Sequence, residues 1–476
     1  MNNTGNTTNV VGEILRSGED ELLSSSSYAT AFYAPSVLQI TVGPDLALDE
    51  AVENAPASRL PLAIGTHAHE YVHYLHNIGT CAGLRHLCLN TNVLVTVHKM
   101  ADQDGRILGS SNLNDEWKEY LAQSIGQMRD HRGRNLGAKI INSCRGALNL
   151  TLVDVSQDQS TTPTHKFRIE IPDPTSSEPS AIEVDIGYNL ITEGVAFEVE
   201  RLIYSHHASV LGDVSSQTPR YPYRFYGELV DFLVGRQTTA QERVSVGNIA
   251  LGTYPVTHGL ATACAALKSQ HNVDEKFADY HKRALENARE LLKAIEVVLD
   301  ASPVDSQTRT GFNIYLELIK RALHIKSTLP IPELLFTESK LDIQSYQTII
   351  GQLVDVLIIQ KRPNSVDGTY QNDDMYIIGP GEIVTGDATI GCLAMVQSAF
   401  QFLNQHIVGN DLTSTDNIGE RECRYAGACP LSDRNQSDSK CMKHPWERMG
   451  TFGTGQACWY VAGMLMMRPA EPGVQR

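Results

Sequence analysis

The stretch Thr66-His67-Ala68-His69-Glu70-Tyr71-Val72-His73-Tyr74-Leu75-His76 places four histidines and a glutamate within eleven residues. Its apolar flanks have helical spacing. Leu62 and Ile64 lead in, and Val72, Leu75 and Ile78 continue a stripe. Gly79 is a natural stop, because glycine accepts the left-handed cap. The expected helix runs from about Pro61 to Asn77. Residues four apart share one helix face, so His69 and His73 can reach one ion.

His69-Glu70-x-x-His73 is the spacing found in zinc hydrolases. Glu70 falls beside the expected ion, where a bound water sits. Zinc lowers the pKa of that water towards neutrality, and a carboxylate can then take its proton. The competing reading is a solvated, histidine-rich helix turn.

The composition is that of a globular chain. Of 476 residues, 42% are hydrophobic and 20% charged, enough for a large core and two or three lobes. A formal net charge of -16 argues against nucleic acid as a partner, since no basic surplus exists to displace counterions. No run of 18 apolar residues occurs, so no membrane span is expected; Cys458–Met467 is too short. Residues 1–27, rich in Asn, Thr, Ser and Gly, read as a flexible leader without signal-peptide features. Nine cysteines are too sparse, and odd in number, for a disulfide scaffold, which suggests a reducing cytoplasm.

In chain order, Phe32 to Val42 reads as one strand with Leu38, Ile40 and Val42 on one face. Asn112 to Met128 has a helical pattern. Ala147–Val155, His165–Ile171 and Ile182–Ile186 alternate as half-buried strands do, predicting a β insertion at about 145–187. A second helix opens near Asn189, its expected N-cap. Glu193, Ala196, Phe197 and Glu200 share one face of it. An ion held by two histidines needs a third protein ligand, and a Glu on a helix packed alongside supplies one.

His69-Glu70-x-x-His73 followed by Glu193-Gly194-x-Ala196-x-x-x-Glu200 resembles the gluzincin metallopeptidases, whose aminopeptidase branch carries a similar Glu-Gly-x-Ala helix. The resemblance covers two short helices. It implies His69, His73 and Glu193 as zinc ligands, Glu70 as general base, and a protein or peptide substrate. Two features depart from thermolysin-like enzymes. Residues 74–192 form a much longer gap, and Phe197 stands where those enzymes place an Asp that orients a ligand His. Glu200 or Glu198 is then expected to take that role. Gluzincins also carry a Tyr or His roughly sixty residues past the third ligand to stabilise the oxyanion. Here that window offers Tyr254 and His258, in what is otherwise an ordinary interhelix turn.

Tyr221-Pro222-Tyr223-Arg224-Phe225-Tyr226 either lines a peptide cleft or starts a helix packed on the core. From Val244 onward the pattern is mostly helical. Val273–Leu299, Phe312–His324, Ile343–Ile359 and Ile390–Ile407 are the expected helices. In the tail, Cys423, Cys429, Cys441 and Cys458, with His444, offer soft ligands for a second, structural zinc or an iron–sulfur cluster, or are scattered buried thiols.

The expected fold is α+β, mainly α. A zincin-like catalytic core spans 28–260, a helical lobe 261–410 and a cysteine-containing tail 411–476. The expected function is that of a zinc metallopeptidase, with a regulatory partner to restrain it. The alternatives are a catalytically inactive zincin-like binding protein and a metallohydrolase acting on a non-peptide bond.

Overall fold

The computed structural model describes residues 31–468, except 36, 47, 49–57, 134–136, 154–165, 172–179, 212–217, 302–305, 363–372, 432–438 and 449–457. The 1–27 leader lies outside the described residues. The fold is mainly helical with a small mixed sheet, which is the α+β, mainly α class expected.

Helix α1, Arg59–Gly79, is the centre of the structure. It lies between the sheet and four helices: α2, Cys81–Val97; α3, Asp115–Arg132, reached through α2; α4, Tyr188–Ser205; and, across the chain, Ser306–Thr328. From Ala63 to Gly79 nearly every α1 residue is buried, not just one stripe. The last turn hands directly to α2, whose N-cap Thr80 accepts from the Gly83 amide at 3.0 Å. Helix α4 begins at Tyr188 after Gly187, so Asn189 is inside the helix and does not cap it. The α1–α4 approach is very close. A Cβ on Gly65 would fall 2.2 Å from the Tyr204 ring, so only glycine fits there.

The sheet contains β1, Ala31–Ala34, and β2, Gln39–Val42. The single strand expected over Phe32–Val42 is a hairpin, turned at Pro35–Leu38 with Leu38 at φ 54. The three-stranded antiparallel insertion is present as β3, Asn149–Val153, β4, Lys166–Ile171, and β5, Ser180–Asp185. After α5, Phe225–Val234, α6, Ala240–Leu251, and α7, Val256–Ser269, come the long helices α8, Val273–Asp300, and α9, Ser306–Thr328. Helix α8 buries Ala288, Leu292, Ile295 and Leu299, the stripe its periodicity predicts.

The segment Ile343–Ile359 corrects the sequence reading. It holds a short helix α10, Ile343–Ile350, and then β6, Val356–Gln360. β6 is buried at every position and pairs in parallel with β2 and antiparallel with β7, Asp374–Ile378. A strand covered on both faces reads as a continuous apolar run, which periodicity does not separate from helix. The sheet order β1-β2-β6-β7 therefore joins the expected 28–260 core to the expected 261–410 lobe in one sheet. Helix α11, Asp387–Gln405, and the tail helix α12, Trp459–Leu465, pack together, with Tyr460 donating to Gln405 Oε1 at 2.6 Å. No helix among the described residues is long and apolar enough to cross a membrane.

Several buried histidines have pKa values that burial lowers, and at His76 it does so despite the nearby Glu333 carboxylate. His67 donates to the Leu46 carbonyl at 2.9 Å, and His406 spans the Phe402 carbonyl and Thr415. Burial lowers His67, His76, His131 and His406 from 6.5 to about 4. With the folded pKa depressed, the unfolded chain binds more protons between those values. Stability therefore falls as pH drops from 6.5 towards 4 and flattens below that. At about 1.4 kcal/mol per proton and pH unit, four such groups make the fold several kcal/mol less stable at about pH 5 than at about pH 7.5. Urea unfolding midpoints at the two pH values measure this; equal midpoints would contradict it.

Candidate metal centre

Three side chains converge between α1 and α4. His69 Nε2 lies 3.1 Å from His73 Nε2 and 3.5 Å from Glu193 Oε2, and His73 Nε2 lies 3.2 Å from the same carboxylate oxygen. Among the described residues they are the one group of three His, Cys, Asp or Glu donors within 4.8 Å of one another. The spacing fits an ion. Ligand atoms ~2.0–2.1 Å from a tetrahedral zinc are about 3.3–3.4 Å apart. Two imidazole nitrogens and a carboxylate oxygen aimed at one point repel unless something positive stands between them.

The remaining ring nitrogens are held from outside. Glu200 Oε2 faces His69 Nδ1 at 3.1 Å, and Tyr204 donates to Glu200 Oε1 at 2.6 Å. An imidazole that gives its Nδ1 proton to a carboxylate presents a bare Nε2 inward. Of the two glutamates expected to play this part, Glu200 does so. Glu198 is engaged by Arg201 and by Arg243, at 2.8 Å for the latter. His73 Nδ1 lies 3.1 Å from Thr192 Oγ1.

The electrostatics match a cation site. Burial alone would raise Glu193, but His73 and His69 outweigh it and hold the carboxyl well below its usual range. Burial would lower His69, yet Glu193 and Glu200 outweigh it and raise the imidazole well above 6.5. Glu70 is buried beside the trio. Burial raises its pKa, His69 and His73 pull it back in part, and the net shift is upward. The Glu193 side chain is 32% exposed, so the trio has an open side.

Tyr223 is the residue that sequence reasoning did not single out. Its ring lies 6.0 Å from His69 and 5.9 Å from Phe197. Glu193 first, then burial, then Glu70 and Glu200 keep its phenol protonated. The aromatic run thus divides. Tyr223 faces the trio, while Tyr221 packs on Phe225 and Tyr226 donates to the Arg243 carbonyl at 2.7 Å, both in the core. On the other side, Tyr33 of β1 stacks over His73 at 6.4 Å.

Tyr254 and His258 are placed differently from the expectation. Tyr254 lies against His131 at 5.9 Å and under the Arg85 guanidinium at 5.3 Å, and His258 is exposed in the first turn of α7. The spacing rule that selected them counts residues, and here the chain reaches the site through the turn before α5 instead. In the tail, burial first and then the neighbouring Cys458, Cys441 and Cys429 raise the Cys423 thiol, and Cys429 is raised to about 11. The thiols are neighbours without meeting the spacing of the trio. The His444 ring packs edge-on against Trp446 at 5.3 Å.

No family model, no curated protein and no solved structure matches this chain.

The geometry predicts about one equivalent of zinc or cobalt bound per chain. His69→Ala and His73→Ala each abolish it. Glu200→Gln weakens it by about 10–100-fold. Elemental analysis after dialysis, with a Cys423→Ser control for the tail, checks the assignment. Metal retained by the His69→Ala, His73→Ala double variant rejects it.

Proposed function

We propose that this protein is a metal-dependent hydrolase of zincin-like architecture, with zinc as the metal and a peptide bond as the bond cleaved. The observation that carries the reading is the convergence of His69, His73 and Glu193, with Glu70 buried beside them. In this reading His69, His73 and Glu193 hold the ion. When bound, it polarises a carbonyl and acidifies a water.

Glu70 then acts as general base. Its upward shift sets a carboxylate that takes a proton and can return it to a leaving amine. Tyr223, kept as a phenol by three surrounding carboxylates, donates a hydrogen bond to the developing oxyanion. Tyr254 and His258, which the sequence spacing offers for that part, lie elsewhere and take no part in it. Among the described residues β1 pairs with β2 alone. Its outer edge, with Tyr33 over His73, is suited to an extended peptide that adds as a strand. That edge favours a peptide over a non-peptide substrate. A binding protein with the same fold would need neither a raised Glu70 nor a protonated Tyr223. For the tail cysteines we keep a structural part, a metal-stabilised loop or a cluster of buried thiols, apart from the reaction.

Glu70→Gln should keep the metal and lose hydrolysis by about 10²–10⁴-fold. Tyr223→Phe should lower kcat by about 10²-fold and leave KM nearly unchanged, because its hydrogen bond is made in the transition state. Cleavage of a proteome-derived peptide library by wild type against Glu70→Gln supplies substrate and test together. Matching cleavage patterns from the two proteins reject Glu70 as the base.

Cys429→Ser is expected to lower thermal stability, or to increase proteolysis of the tail, with metal at His69 and His73 unchanged. Higher activity with an intact fold would instead make the tail an inhibitor of the site.

A further inference from the structure

His76, Glu333 and Lys326 are buried beneath the trio, and the reaction above uses none of them. His76 and Glu333 side chains are fully buried and the Lys326 side chain is 10% exposed. They form a continuous path to a proposed metal ligand. Lys326 Nζ lies 3.2 Å from Glu333 Oε1 and donates to Asn248 Oδ1 at 2.7 Å. His76 Nε2 lies 3.3 Å from the same Glu333 oxygen. His76 Nδ1 lies 2.8 Å from Thr192 Oγ1, and that hydroxyl is 3.1 Å from His73 Nδ1.

Charge and proton count along this path favour one arrangement. Lys326 is an ammonium and keeps Glu333 ionised; against the effect of burial, Lys326 and His76 hold that carboxyl down to about 2. His76 Nε2 stands 3.3 Å from this ionised oxygen without a formed hydrogen bond, and hydrogen on Nε2 avoids setting a lone pair against the carboxylate charge. Lys326 already balances Glu333, and burial keeps His76 neutral, so its Nδ1 is bare and must accept. The donor to it is the Thr192 hydroxyl, which has one hydrogen to give. Thr192 therefore receives the bond from His73, whose Nδ1 carries the hydrogen. The consequence falls on His73 Nε2, which is left with its lone pair facing His69 Nε2 and Glu193 Oε2.

We propose that Lys326, Glu333, His76 and Thr192 form a buried positioning relay that locks His73 in its metal-binding tautomer. This rests on the trio being the metal site. The relay residues touch neither ion nor substrate. Glu333 lies in the turn Pro332–Thr337, so the second proposed histidine ligand is set by a segment remote in sequence. His69 is oriented differently, by a carboxylate in direct contact.

Two measurements test the relay. The first is the tautomer of His73 in metal-free protein, read from ¹⁵N-labelled histidine by long-range proton–nitrogen correlation. The second is zinc affinity by competition with a chromophoric chelator. Wild type is expected to show His73 with hydrogen on Nδ1. Thr192→Val should lose that preference and bind zinc about 10–100-fold more weakly, and Thr192→Ser should restore both. At the far end, Glu333→Leu is paired with Lys326→Met, because a single change leaves a buried ammonium or carboxylate alone. The pair should mix the His73 tautomers and weaken zinc binding about tenfold, with circular dichroism unchanged. Tautomer and affinity both unchanged in folded variants overturn the relay. If wild type binds no zinc or cobalt, the trio reading falls instead. The relay is then judged on the His73 tautomer alone, where a shift in Thr192→Val supports it and none overturns it.

Discussion

A helix that carries polar side chains through the middle of a protein must find a partner for each of them. Helix α1 imposes this on the whole structure. Several neighbouring elements give it hydrogen-bond partners. The Leu46 carbonyl takes His67, and Glu200 on α4 takes His69. The entry to β6 takes both tyrosines, Tyr71 at the Val354 carbonyl, 2.7 Å, and Tyr74 at the Asp355 carbonyl, 2.6 Å. Thr192 serves His73 and His76, and Tyr33 with the Pro35 carbonyl serves Asn77. The sheet and α4 are thus held to α1 by directional bonds as well as by apolar contact, and Glu333 in the turn after α9 stands 3.3 Å from His76 Nε2. Their positions around the trio follow from those bonds.

The same constraint separates the two faces of the helix. One face meets β2 and β6 through Tyr71 and Tyr74. It is largely apolar, with Asp355, whose carboxylate accepts from the Gly381, Ile383 and Val384 amides, and the Arg321 guanidinium near Tyr71 as its charged groups among the described residues. The other face meets α4 and collects the carboxylates Glu193 and Glu200. Glycine at position 65 permits the close approach of α4, and Tyr204 fills the space a side chain would have taken. The spacing of the ligand atoms is therefore a property of helix packing rather than of flexible side chains reaching outward. A site built in this way is preorganised for the ion proposed above.

How much of this was legible in sequence depended on whether a role is local. His69, Glu70 and His73 were legible because a helix repeats, and their spacing is a statement about one face. Glu193 and Glu200 were legible for the same reason on a second helix, the two being seven apart. Tyr223 was hidden, because its place depends on how the turn before α5 folds back, and its neighbours in the run are core residues of the same type. Glu333 and Lys326 carried no local signal, since a partner for His76 is defined only by the packed structure. β6 was misread as helix because burial on both faces erases the alternation that marks a strand. Tyr254 and His258 came from a distance along the chain, a measure that an altered turn makes irrelevant.

Charge explains why these groups tolerate each other. Three carboxylates, Glu70, Glu193 and Glu200, surround two imidazoles in a largely buried site. With both imidazoles neutral, that is a net negative centre in a medium that screens poorly. The molecule answers locally where it can. Tyr204 and Tyr223 remain phenols, and Tyr204 gives its hydrogen to Glu200. His69 is pulled up and Glu193 pushed down, so without metal a proton sits where a cation would be bound. Proton and ion then compete for the same lone pairs. Thr192 and Glu200 settle which nitrogens are offered, since both engage the outer nitrogens and leave the inner ones facing the common point. The bonds that anchor the polar groups of this buried helix are thereby also those that would prepare its inner face for the proposed divalent ion.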